Sequence, residues 1–391
     1  MRTPRMALVP LALTGALILA ACGSETDDGA AADSGSEKHV SAPLVTTYDG
    51  GLLVLDGSTL DVVEDIPLDG FNRVNPAGTD EHVLVSTADG FRVLDAAAGE
   101  LTDVTFAADT PGHVVRHADR AVLFADGTGE ITVFDPHDLE GGELPETETH
   151  QTPEAHHGVA VQLEDGHLLT TLGNPDTRVG ARVVDADGTE VARAESCPGV
   201  HGEATAEGEV VVLGCEDGIL KYADGEFTKI ASPTPYGRIG NQAGSDHSPI
   251  VLGDYKSDPD AEREQPTRVS LIDTRTDALQ LVDLPASYTF RSLGRGPDGE
   301  ALVLGTDGKL HVIDPESARI ELSVDVIAEP WTEPLDWQQP RPTLFVRDHT
   351  AYVSDPAAKE IHAVDLTSWE VTATGELDVT PNELSGTVHA H

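Results

Sequence analysis

Three histidines recur in this 391-residue sequence at an equal interval: His113 in PGHVVRH, His157 in AHHGVAV and His201 in GVHGEAT, 44 residues from each to the next. Neutral imidazoles brought together from neighbouring strands can hold a borderline cation such as Zn²⁺ at about 2.0–2.1 Å, with a fourth place for a carboxylate or water. Nitrogen-rich sites also suit Cu²⁺ and Ni²⁺, so ligand type alone does not choose the metal. A lone histidine in a strand is commonly a packing residue, but three at matched positions of a repeat would face one another. An all-histidine shell is expected to shed its metal as pH falls toward about 5, because the unperturbed imidazole pKa is about 6.5.

Secondary candidates surround these three. His156 adjoins His157 and points to the opposite side of a regular strand. His117 follows His113 by four residues and shares its face, toward the far end of the strand. Asp246 and His247, in NQAGSDHS, and Glu203, two past His201, are weaker candidates for a fourth ligand. The remaining histidines, among them His82, His167, His311 and His362, fall at loops, strand edges or termini, where surface solvation accounts for them. No G-x-S-x-G, H-E-x-x-H, P-loop or dinucleotide fingerprint is present, and the many acidic residues single out no general acid and base.

The interval has meaning only if the chain repeats, and it does. A short alternating strand ending in Asp recurs as LLVLD, FRVLD, ITVFD, ARVVD, VSLID, LHVID and IHAVD, with ILKYAD as an eighth copy. Ahead of each lies a β-branched run and a turn, as in VLVSTADG, and behind each another short strand, as in LTDVTF. With one more strand in front, the unit has four antiparallel strands in about 40 to 50 residues, the mark of a propeller blade. Helical periodicity is almost absent, and 38 Gly with 25 Pro suit a turn-rich all-β chain.

The expected fold is therefore a single β-propeller over residues 43–391 with eight four-stranded blades, seven being the alternative count. Front strands begin near Arg73, His113, His157, His201, Ile239, Arg291 and Thr343. The first unit, from Val45, lacks one, and the spare segment TPNELSG near the C-terminus is placed to supply it, closing the ring by pairing the N- and C-terminal strands. Front strands line the central channel, so His113, His157 and His201 belong at one end of it on three adjacent blades.

Ahead of the repeats, residues 1–21 read as a secretory signal, with Arg2 and Arg5 before an apolar run too short to span a membrane. The run ends in Leu19-Ala20-Ala21-Cys22, which resembles the bacterial lipobox and makes Cys22 the expected lipidation site. Residues 22–42 have the composition of a solvated tether. The net charge of −45 excludes nucleic acid and anionic lipid surfaces as probable partners, leaving the lipid anchor as the only membrane contact of a monomer. Cys197 and Cys215, in an exported chain, are expected to form a disulfide; the rival role is thiolate ligation of a metal.

Taken together, YDGGLLVLDG, GFNRVNPAG, PGHVVRH, LFADGTGEITVFDP, PEAHHGVAV, CPGVHGEAT, GNQAGSD and the closing TPNELSG resemble the AztD-type zinc metallochaperones. The resemblance covers nearly all of residues 44–386. It implies an exported β-propeller that binds zinc and passes it to the solute-binding protein of a zinc ABC importer. It implies zinc at His113, His157 and His201, and no enzymatic activity. The sequence departs from the family after Asp95, where Ala-Ala-Ala-Gly-Glu replaces a histidine-rich loop. A second zinc site on that loop is thus not carried over. Two other readings stand beside this one: a metal-dependent propeller hydrolase or lyase, and a metal-free interaction scaffold.

Overall fold

The computed structural model describes residues 39–388. Cys22, the leader and tether residues 22–38 lie outside the described residues, whereas Val40, at the end of the expected tether, is buried and donates its N–H to the Ala97 carbonyl at 2.8 Å. Alternating apolar strands, broken by Asp-Gly and similar turns, assemble into eight antiparallel sheets whose strands follow chain order from the channel outward. The sheets are arranged as a ring, a β-propeller of eight four-stranded blades. The only helical element among the described residues is a short 3₁₀ turn, Pro136–Gly141.

Blade 1 contains Pro43–Tyr48, Gly51–Asp56 and Val62–Pro67, and its channel-lining strand is Leu384–Gly386 from the other end of the chain. Leu44 pairs with Gly386 and Thr46 with Leu384. This closure leaves no open edge between the first and last blades. The blades that concern the site are 3 to 5. Their channel-lining strands are Pro111–His117, Ala160–Gln162 and His201–Ala206.

Strands of a propeller bury both faces against neighbouring blades, and apolar clusters occupy every blade-to-blade contact. Most join two blades, as Leu44, Leu55, Tyr352 and Ile361 join blades 1 and 8. One spans three: Val122, Val159, Val161, Leu169, Val211 and Leu213 knit blades 3, 4 and 5 into a single core. Cys197 and Cys215 lie fully buried in this core and are joined as a disulfide. Thiolate ligation by either is thereby excluded in this structure.

Three histidines assigned to the surface are instead interior. His82, His311 and His362 are buried, each with a hydroxyl on its Nδ1: Thr79 at 3.0 Å, Ser323 at 2.8 Å and Thr374 at 3.1 Å. Burial lowers the pKa of each. They sit on strands covered from both sides, where a polar residue needs a local partner rather than water.

Candidate metal centre

Each of the three spaced histidines stands beside a glycine that bends its strand. In blade 3 the pairing register shifts between Pro111 and Val114, and a β-carbon on Gly112 would meet Asp126 Oδ1 at 2.2 Å. His157 precedes its strand by three residues and is followed by Gly158, packed against Phe124 and His156. In blade 5 the register shifts at Gly202, which adopts φ +70°, a left-handed conformation that favours glycine. These irregularities turn the three side chains inward at one channel mouth.

There the imidazoles converge. Ring centroids lie 5.1 Å apart for His113 and His157, 5.5 Å for His113 and His201, and 5.0 Å for His157 and His201. One nitrogen from each falls within 4.8 Å of the other two. His157 Nδ1 donates to Asp126 Oδ2 at 2.5 Å, and His201 Nδ1 donates to the Gly240 carbonyl at 2.6 Å. Because those partners can only accept, both Nδ1 atoms carry protons and both Nε2 atoms present lone pairs. The two Nε2 atoms face each other at 3.1 Å. Nitrogens coordinated at the zinc distance in a tetrahedral shell are about 3.3 Å apart, so this pair is already set for a shared cation. Carboxylate and carbonyl partners on the outer nitrogens are the usual orienting contacts of metal-bound histidine.

Burial and neighbouring charge favour the neutral forms of His113 and His201. Burial pushes His113 well below the ordinary histidine range, with the neighbouring His201, His157, Arg73 and Arg178 adding to the effect. Burial likewise takes His201 down to about 3, against the opposing hydrogen bond to Gly240. Glu203 Oε2 lies 3.9 Å from His113 Nδ1, and burial raises its carboxyl to about 8. Without a cation this acid stays protonated at neutral pH.

The other candidates are not brought to the cluster. His117, at the far end of its strand four residues beyond His113, pairs with Glu209 at 3.0 Å. His156 is buried, bound through Nδ1 to the Glu154 carbonyl and through Nε2 to Thr171 Oγ1. Asp246 lies with His117 and Arg116 around a cavity of about 270 Å³ whose wall includes Glu203 but none of the three histidines. Two partners escaped the sequence reading. Asp126 belongs to a turn that looked like a hairpin signal alone, and the Gly240 carbonyl carries no side-chain signature. After Asp95, a tight turn closed by Ala98 N–H on Asp95 Oδ1 at 2.8 Å replaces any histidine-rich loop.

With this geometry in view, the comparisons are informative. No protein-family model matches the chain. The zinc chaperone AztD of Citrobacter koseri is 29% identical over 312 residues, 76% of this chain and 71% of that protein. This chain is similar to AztD over most of its length. The solved structure of apo AztD from the same organism superposes with a TM-score of 0.76 at 24% identity, covering 89% of this chain and 98% of that one. A second Citrobacter koseri AztD structure gives 0.75. The likeness to AztD structures establishes the propeller fold.

Proposed function

We propose that this chain is a zinc metallochaperone that holds Zn²⁺ between His113, His157 and His201 and hands it to the solute-binding protein of a zinc ABC importer. The observation that carries the reading is the pair of opposed Nε2 lone pairs 3.1 Å apart, each imidazole fixed from behind by an acceptor. Two bare nitrogens so placed repel each other unless a cation lies between them. Homology to a zinc chaperone supports zinc as that cation and transfer rather than turnover as the task. The buried disulfide supports an oxidising, extracytoplasmic setting, with Cys22 as lipid anchor of a monomer.

Glu203, 3.9 Å from His113 and held protonated by burial, leaves a place on the metal for another ligand. The histidines' outer side opens to the mouth, where His157 is 43% exposed. An acceptor therefore reaches the metal from that side. Zinc binding is tested by His157→Ala against His167→Ala. The first should weaken zinc affinity by more than the roughly 100-fold reached on losing an outer-shell partner, and the second should change nothing. Equal affinities would refute the assigned site. Transfer is tested by loading the protein with zinc and adding an apo zinc-binding solute-binding protein. It should strip the metal faster than a small chelator of matched affinity, and equal rates would mean simple dissociation.

A further inference from the structure

Charges of both signs surround the histidines, in a chain whose net charge is −45. Arg178 and Arg238 stand on adjacent blades beside the cluster. The Arg178 stem and the ring of His156, the residue before His157, both flank Gly173. The Arg238 guanidinium lies over Gly240, the residue whose carbonyl holds His201. Gly199 links the two arginines, its N–H donating to the Arg178 carbonyl at 2.9 Å and its carbonyl accepting from Arg238 Nη1 at 3.3 Å.

Neither charge is well answered. Arg238 has Glu216 at 3.9 Å, beyond hydrogen-bond reach. The Arg178 guanidinium makes no hydrogen bond or close ion pair among the described residues, and its acidic neighbours are Glu216 and Asp126. Asp126 is already engaged by His157. The two guanidiniums repel each other across the rim, and both bear on His201. A dication added to three neutral imidazoles makes this corner more positive still.

We propose that Arg178 and Arg238 form a carboxylate-binding site at the channel mouth, and that a carboxylate held there completes the coordination of zinc on the three histidines. A guanidinium binds a carboxylate through paired N–H groups, leaving one oxygen free to face the metal. The inference rests on the zinc reading above. The carboxylate can come from a free dicarboxylate or from an acidic segment of a docking protein.

The test is zinc release from the loaded full chain into excess chromogenic chelator, with millimolar malonate, an aspartate-rich peptide, or chloride at matched ionic strength. A carboxylate held by charge-assisted hydrogen bonds should slow release about tenfold relative to chloride. The slowing should vanish in Arg178→Gln/Arg238→Gln and persist in part in Arg178→Lys. Slowing by malonate identifies a free small acid, and slowing by the peptide alone identifies a protein segment. Identical release in all three solutions, or slowing that survives in the double glutamine variant, overturns the site while leaving the histidine site standing. A protein that takes up no zinc in chloride overturns both.

Discussion

Around the starts of the channel-lining strands, within three residues, blades 3, 4 and 5 present His113, His157 and His201, whereas blades 7, 8 and 1 present Arg291, Thr343 and Glu383. The positions are equivalent in the repeat, yet the chemistry is opposite. On the second arc the charges are paired within the protein. Arg291 donates to Asn382 Oδ1 at 2.8 Å and pairs with Glu383, which also lies 3.6 Å from Arg73. Thr343 Oγ1 donates to the Asn382 carbonyl at 3.3 Å. Nearby, the fully buried Arg341 donates to Glu333 at 2.7 Å, and its guanidinium stacks 4.9 Å from the Phe290 ring centroid. On the histidine arc the outer nitrogens of His157 and His201 are satisfied and the inner ones face each other. A channel mouth that is internally complete on one side and open toward a cation on the other separates structural polarity from binding polarity.

The largest effect should come from breaking the completed side. Glu383→Ala leaves Arg291 buried without its partner and should destabilise the protein by about 3–5 kcal/mol. Thermal or denaturant unfolding measures the loss, and zinc stoichiometry at low temperature should remain unchanged. Loss of zinc together with intact stability would mean that the two arcs are not separate in function. Reducing or replacing Cys197 and Cys215, 18 residues apart, should cost about 3 kcal/mol. That loss should fall on blades 3 to 5, whose shared core the disulfide braces, and hydrogen exchange can locate it.

A milder change separates orientation from ligation. Asp126→Asn keeps the size of the side chain but weakens its hold on His157 Nδ1, so zinc affinity should fall about 10- to 100-fold with little change in stability. An unaltered affinity would show that the carboxylate does not orient the ring.

The smallest effect concerns protons. His201 titrates near 3 when folded and near 6.5 when unfolded, so the unfolded chain binds more protons between those values. Stability of the zinc-free protein is therefore full above about pH 6.5 and declines as pH falls toward 3, and His201→Phe should flatten that decline. Burial also shifts the expected zinc loss below pH 5, since protons compete poorly for the His113 and His201 nitrogens until the solution is more acidic. A release midpoint above pH 5 would contradict the neutral, buried cluster.

Much of this was legible in the sequence because repetition is. The Asp-terminated strands counted the blades, TPNELSG announced the closing strand, and the 44-residue interval placed three imidazoles at one mouth. What could not be read was set by contacts across blades. Asp126 reaches His157 from the preceding blade, and Gly240 reaches His201 through a backbone oxygen. The solvated reading of His311 and His362 failed for a related reason. Period-two alternation separates an inner face from a wet one only when a sheet has a wet face, and inner propeller strands have none. Their hydroxyl partners, Ser323 and Thr374, each lie 12 residues away on the next strand.

Diffraction at the zinc absorption edge from crystals of the zinc-loaded protein tests the central claim most directly. The account predicts a single strong anomalous peak at the channel mouth, about 2.0–2.1 Å from Nε2 of both His157 and His201 and from a ring nitrogen of His113. A peak elsewhere, or none at the three histidines under zinc saturation, would contradict it.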